Sequence, residues 1–170
     1  MRRLPVLLAA LALAGCSSTG DSAGPACPPV KILDEARTVT QFKDGRDVTD
    51  AVYEAEILGY KGSCQYGEKG VNVRVSVAFK VGLGPAADSR TVKIPYFVAV
   101  PDFYPAESAK KKLTLKVPFP KGQDVIRLRD GEIGLDIPLD KPGQGAETPV
   151  VVGFQLSPEQ LDYNRTRSGR

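Results

Sequence analysis

The segment from Val71 to Val81 alternates apolar side chains with polar or small ones over its whole length. The apolar positions are Val71, Val73, Val75, Val77, Phe79 and Val81. Successive side chains of a β-strand point to opposite faces, whereas a helix would spread these residues around its whole circumference. We therefore predict a strand with one buried and one solvated face. Such a strand needs a second layer to cover it, which favours two packed sheets.

Other alternating segments predict the rest of the fold. The predicted strands lie at 29–33, 38–42, 51–60, 91–100, 112–119 and 149–156. Residues 124–139 predict a β-hairpin, because Asp130-Gly131 suits a type I′ turn that places Leu128 opposite Ile133. The strand at 51–60 is expected to lead into a turn that contains Cys64.

The spacing of these strands predicts one all-β domain over residues 27–165. We expect a single antiparallel β-sandwich of the immunoglobulin or fibronectin type, with about eight or nine strands, or alternatively a small closed barrel. Pro95 lacks an N–H and is expected at a sheet edge or a bulge. A capping-box pattern at Ser157 and Gln160 predicts a short C-terminal helical turn, followed by a disordered tail at 166–170.

The amino terminus has the pattern of a targeting sequence. Two arginines precede an apolar segment, residues 4–14, which is shorter than the roughly 20 residues that span a bilayer as a helix. The Leu-Ala-Gly-Cys sequence at 13–16 resembles the lipobox of bacterial lipoproteins. This resemblance implies that residues 1–15 are a signal peptide and that Cys16 carries the lipid. The alternative is an ordinary secreted protein in which Cys16 is incidental.

Two further expectations follow from the lipoprotein resemblance. Ser17 directly after the cysteine implies the outer membrane, on its periplasmic face, and the small polar residues 16–26 are expected to form a flexible tether. The segments IPYFVAV at 94–100 and VVVGFQLSPEQLDYNR at 150–165 resemble a family of uncharacterised proteobacterial envelope lipoproteins. That resemblance implies a location and a fold, and it implies no activity.

The remaining cysteines, Cys27 and Cys64, form an even pair in a chain expected in an oxidising compartment. We predict a disulfide between them, with two buried thiols as the alternative. Cleavage before Cys16 would leave 21 of the 23 Lys and Arg residues against 20 Asp and Glu, a net charge of +1. This near-neutral charge argues against nucleic-acid binding. The short Lys110–Lys112 cluster is interpreted as a solvated strand edge.

Catalytic and metal-binding patterns are weak. The chain has no histidine, which excludes Ser-His-Asp and Cys-His catalysis and histidine-containing zinc sites. Ser108 and Lys111 match an acylating motif whose companion motifs are absent. Glu54 and Glu56 on one strand face leave open a hydrolase that uses a carboxylate pair.

The Asp44, Asp47 and Asp50 segment lacks the spacing of a calcium loop and is interpreted as a capped polar turn. No cofactor or metal is expected. The adjacent aromatic residues Phe103 and Tyr104 lie between two prolines and are the candidate partner-binding residues. We therefore predict a non-enzymatic interaction or structural module of the cell envelope that is anchored to the membrane and has an envelope protein partner. A carbohydrate- or peptidoglycan-binding module is the first alternative, although the chain lacks Trp.

Overall fold

The computed structural model describes residues 24–168, which contain nine strands and one α-helix. The strands are β1 (Val30–Ile32), β2 (Thr38–Phe42), β3 (Ala51–Gly67), β4 (Gly70–Leu83), β5 (Thr91–Ala99), β6 (Lys110–Pro118), β7 (Val125–Arg129), β8 (Ile133–Pro138) and β9 (Val150–Phe154), and the helix is α1 (Pro158–Ser168). The predicted signal peptide and the predicted lipidation site, Cys16, lie outside the described residues.

The strands form two separate sheets rather than one closed sheet. Sheet A has the order β1-β9-β5-β6, and sheet B has the order β2-β3-β4, with β7 and β8 both paired to β4. The mostly-β, two-sheet prediction is confirmed. One pair departs from the antiparallel expectation, because β1 pairs with β9 in parallel. Because β1 and β9 lie far apart in the sequence, no hairpin joins them, and they can pair in either direction.

Strand β4 has the two faces that its alternation predicts. None of the six apolar residues from Val71 to Val81 is more than 2% exposed. Phe79 lies at the centre of the core, with its ring 5.1 Å from that of Tyr96 and 5.9 Å from that of Phe154, which both belong to sheet A. Full burial of such side chains contributes roughly 1.5–3 kcal/mol each. The alternating face of β4 therefore forms the sheet B side of a core shared by both sheets.

The predicted hairpin at 124–139 is wrong. Strands β7 and β8 do not pair with each other; β7 pairs with β4 at residues 78–82, and β8 pairs with β4 at residues 70–75. They act as one interrupted strand, with residues 130–132 as an irregular step between them. Gly131 lacks the positive φ that a type I′ turn requires. Strand β4, with 14 residues, is long enough to pair with both segments in line.

Two local predictions in the sheets also need correction. Cys64 lies inside β3, which continues without turning to Gly67, and the chain reverses at Glu68 and Lys69 instead. Pro95 lies on β5, an inner strand between β9 and β6. It is tolerated there because β9 pairs with β5 only from Tyr96 onward, so the missing N–H of Pro95 disrupts no ladder hydrogen bond.

Helix α1 covers the free edge of β2. The capping box at its start is present: the Ser157 hydroxyl accepts the Gln160 N–H, and the Gln160 side chain accepts the Ser157 N–H. Asn164 is 7% exposed, and its amide donates to the carbonyls of Glu35 and Thr38 at 2.8 Å each. The helix is longer than predicted, since it continues to Ser168, into the expected disordered tail. Within residues 24–168, no helix is long and apolar enough to cross a membrane.

Candidate interaction site

A cleft of about 780 Å³ opens at the end of the two sheets where the β3–β4 turn lies. Four segments line it: the β3–β4 turn, the 3-10 turn Pro101–Phe103 after β5, the end of β8, and the 3-10 turn Pro142–Glu147 before β9. The Pro142–Glu147 turn is held in place by Gln144. Its side-chain oxygen accepts hydrogen bonds from the N–H groups of Asp140 and Lys141, at 3.0 and 3.1 Å. Loops held by a rigid scaffold in this way are where binding sites concentrate.

The two candidate partner-binding residues differ in their surroundings. Phe103 is partly buried, packs against the core and lines the cleft. Tyr104 is 81% exposed and contributes almost nothing to the core. The structure therefore places Phe103 in the lining of the cleft and leaves the Tyr104 ring exposed at the adjacent surface. That Tyr104 contacts a partner stays a prediction.

The cleft carries an excess of negative charge. Glu68, Asp102, Asp140 and Glu147 line it together with a single lysine, Lys69. None of these residues takes part in an ion pair within the described part of the chain. The four acidic residues come from different segments between positions 68 and 147, so sequence reasoning missed the cleft, and only Phe103 pointed to it.

The Cys27–Cys64 disulfide is present, with the two Cα atoms 5.7 Å apart, and this prediction is confirmed. A second contact lies beside it, since the Tyr66 hydroxyl donates to the carbonyl of Ala26. The chain then passes close to the cleft, because the Val150 N–H donates to the carbonyl of Pro29 at 2.9 Å. The residues that precede Cys27 therefore join the domain at the cleft end.

The other candidate residues do not assemble into a reaction centre. Glu54 accepts a hydrogen bond from Arg167 of α1 at 3.0 Å, which gives its carboxylate a structural partner. Ser108 lies in a 3-10 turn at the start of β6, whereas the Lys111 ammonium donates to the carbonyl of Gly134 and links β6 to β8. The acylating-motif interpretation therefore has no geometric support.

The acidic turn before β3 has the simple structural role expected for it. Asp47 precedes the 3-10 turn Val48–Asp50, and its N–H donates to the Asp50 carboxylate at 3.3 Å. Over residues 24–168, no group of three or more acidic, cysteine or histidine residues is arranged to hold a metal ion.

One buried polar contact joins the two sheets. Tyr96 is fully buried in sheet A, and its hydroxyl donates to the carboxylate of Asp130 in the step between β7 and β8. Burial raises the pKa of Tyr96 well above its usual range, and the hydrogen bond to Asp130 adds to that effect. The second oxygen of Asp130 accepts the Gly131 N–H at 2.8 Å, which fixes the step. This contact has a structural role and is remote from the cleft residues.

Comparison of the chain with family models, with curated proteins and with solved structures finds no match.

Proposed function

We propose that the protein is a lipid-anchored lipoprotein of the outer membrane, on its periplasmic face, and that its domain is a non-enzymatic interaction module. The two sheets are interpreted as an immunoglobulin- or fibronectin-like β-sandwich that presents the cleft to an envelope protein. Phe103 forms the base of the contact site, and Tyr104 is the exposed anchor. The observation that carries the proposal is the exposure of Tyr104, at 81%, next to a preformed cleft.

The chemistry of the cleft end supports a binding role. An isolated exposed aromatic residue is common on protein surfaces, but tyrosine beside a concave site is typical of interaction hot spots. The residues before Cys27 join the domain at this same end. A tether to the membrane would therefore hold the cleft close to membrane proteins. Neither the carbohydrate-binding nor the hydrolase alternative gains a supporting observation.

Photo-crosslinking tests the partner contact. A photoreactive amino acid replaces Tyr104 in cells, and the matched control position is Val48, which is 82% exposed at the opposite end of β3. We expect a discrete crosslinked protein species from position 104 and none from position 48. Equal labelling from both positions, or none from either, would show that Tyr104 is not a partner contact.

Fractionation tests the anchor separately. Cys16→Ala is expected to move the protein from the membrane fraction to the soluble envelope fraction, because no acyl chains remain to hold it. Mass spectrometry of the amino-terminal peptide of the natural protein should find a diacylated Cys16. A wild-type chain with an unmodified Cys16 that washes out of the membranes would refute the anchor and leave the cleft proposal standing.

A further inference from the structure

The strands of sheet A contain basic residues and no acidic residues that would offset their charge. They contain six lysines and no aspartate or glutamate. One lysine lies on β1, one on β5 and four on β6. A neutral distribution would mix both signs, as the strands of sheet B do. Sheet A therefore has a charge imbalance that the near-neutral composition of the whole chain conceals.

Five of these lysines share the outer face of sheet A: Lys31 on β1, which is aligned with Val151, and four on β5 and β6. The β5–β6 register pairs Lys93 with Lys116, Phe97 with Lys112, and Ala99 with Lys110. The intervening residues of β5 point into the core and are buried. We call the four on the adjacent strands β5 and β6, Lys93, Lys110, Lys112 and Lys116, the lysine face.

The lysine face is electrostatically unfavourable in isolation. Lys93 and Lys116 are directly opposite each other on adjacent strands, where like charges destabilise a sheet. Burial, and then the nearby charge of Lys112, lower the pKa of Lys110. No member of the face has an ion-pair partner among residues 24–168. The acidic residues Asp34 and Glu35 are paired with arginines rather than with these lysines.

Protection of an exposed edge does not account for the whole arrangement. Lysines on an edge strand discourage pairing with other chains, and β6 is an edge of sheet A. Lys93 lies on β5 before its pairing with β9 begins, but edge protection does not require two lysines to stand directly opposite each other, as Lys93 and Lys116 do. The Lys110 ammonium also lies 4.0 Å from the centre of the Phe97 ring, which holds its charge on the face. A repulsive arrangement that breaks a local rule without a folding benefit is typical of a functional surface.

We propose that the lysine face docks on a membrane surface through the phosphate groups of anionic phospholipids. The two adjacent strands present four ammonium groups on one side of the domain to a planar array of negative headgroups. Basic side chains close to such a surface each gain attraction that screening weakens within a Debye length. Strand β1, the first strand after the residues expected to form the tether, is the other edge of this sheet. The domain would thus rest on its side against the leaflet that its anchor occupies.

Vesicle sedimentation tests the docking without the lipid anchor. The full chain carries Cys16→Ser, and the vesicles contain either phosphatidylcholine alone or phosphatidylcholine with phosphatidylglycerol. The test variant is K93Q, K110Q, K112Q and K116Q together. The matched control variant, K61Q, K80Q, K121Q and K141Q, removes the same charge from positions outside sheet A and outside the cleft lining.

We expect the test variant to bind the anionic vesicles up to about 600-fold more weakly than its parent, because each of the four lysines near the surface contributes about fivefold. The control variant should lose much less. Raising the salt from about 0.1 M to about 1 M, which shortens the Debye length from about 10 Å to about 3 Å, should abolish the difference. The residues before Cys27 are identical in the parent, the test variant and the control variant, so they cannot produce a difference in vesicle binding.

Three outcomes would overturn the docking proposal. The first is equal loss of vesicle binding in the two variants. The second is no dependence on phosphatidylglycerol, and the third is face-dependent binding of a soluble sulfated polysaccharide without vesicle binding. A variant with arginine at the same four positions guards against a folding defect, and it should retain binding. Because the lipid site is removed throughout, failure here leaves the proposed anchor and cleft untouched.

Discussion

Replacing Tyr96 by Phe removes one hydroxyl group from the middle of the core and leaves the ring in place. The hydroxyl donates to Asp130 across the two sheets, and Tyr96 itself is fully buried. A hydrogen bond to a charged group contributes about 1.5–3 kcal/mol. Asp130 is only partly buried, so water can partly replace the lost donor. At neutral pH we therefore expect Tyr96→Phe to lower the free energy of unfolding by about 1–2 kcal/mol.

The free energy of unfolding at alkaline pH provides a second and sharper test of Tyr96→Phe. The folded state raises the pKa of Tyr96, so above about pH 10 the unfolded chain releases this proton while the folded chain keeps it. The contribution of Tyr96 is thus fully present below about pH 10 and is lost above it, at about 1.4 kcal/mol per pH unit. Tyr53, whose pKa burial also raises, contributes equally to both proteins. The unfolding free energies of the wild type and of Tyr96→Phe should therefore converge above about pH 10.

Urea unfolding between about pH 8 and pH 11.5 measures both effects, with far-UV circular dichroism as the probe. Asp130→Asn is the matched control, because it keeps an acceptor and the burial of Tyr96. It should lose less stability at neutral pH and keep most of the alkaline dependence. Parallel curves for the wild type and Tyr96→Phe across the whole range would refute the argument, since they would show that Tyr96 ionises equally in both states.

Three further substitutions test other parts of the fold. Replacing Cys27 and Cys64 by Ser together should cost about 4 kcal/mol in urea unfolding, because the disulfide closes a sequence separation of 37 residues; no change in midpoint would contradict this. Lys116→Glu should raise the free energy of unfolding by about 0.5–1 kcal/mol, since it converts the repulsion with Lys93 into attraction, and an unchanged or lower midpoint would count against that repulsion. Asn164→Ala should cost about 2 kcal/mol and accelerate amide exchange at the end of α1, because its hydrogen bonds to the Glu35 carbonyl, in the turn before β2, and to the Thr38 carbonyl of β2 are lost; unchanged exchange rates would argue against this role.

Alternation in the sequence predicted the strands well where one face is buried and the other is solvated. Strand β4 is the clearest case, because a shift of one residue would expose all of its valines. The disulfide was also predictable, since the chain offers only one pair after Cys16. Helix α1 was predicted from its capping box, but its length was not. Its last turn depends on contacts such as that between Arg167 and Glu54, which lie far apart in sequence.

The incorrect hairpin prediction at 124–139 shows a limit of predicting strand pairing from local sequence alone. Ile126 and Leu128 are even-numbered, whereas the buried residues after the break, Ile133 and Leu135, are odd-numbered. One extra residue must therefore lie between the two segments. A tight turn and an irregular step inside one continuous strand both supply it. The choice depends on whether β4 is long enough to pair with both segments, which is a property of a different part of the chain.

The candidate surfaces were even less accessible from sequence. The adjacent aromatics Phe103 and Tyr104 drew attention to the right loop, but the acidic lining of the cleft comes from four separate segments. Similarly, alternation along β6 already places Lys110, Lys112 and Lys116 on one face, whereas only the β5–β6 register brings Lys93 onto the same face. Both surfaces depend on how the strands pair and where the loops between them meet.

The position of the Cys27–Cys64 disulfide has a mechanical consequence. Strand β1 has only three residues and a single neighbour, so tension applied through its amino-terminal side would otherwise peel it from β9 one hydrogen bond at a time. The covalent bridge instead transmits a pull into β3, whose ladder with β4 would have to shear over many residues before it yielded. A pull on the entering chain therefore acts on β3 through the disulfide rather than on β1 alone.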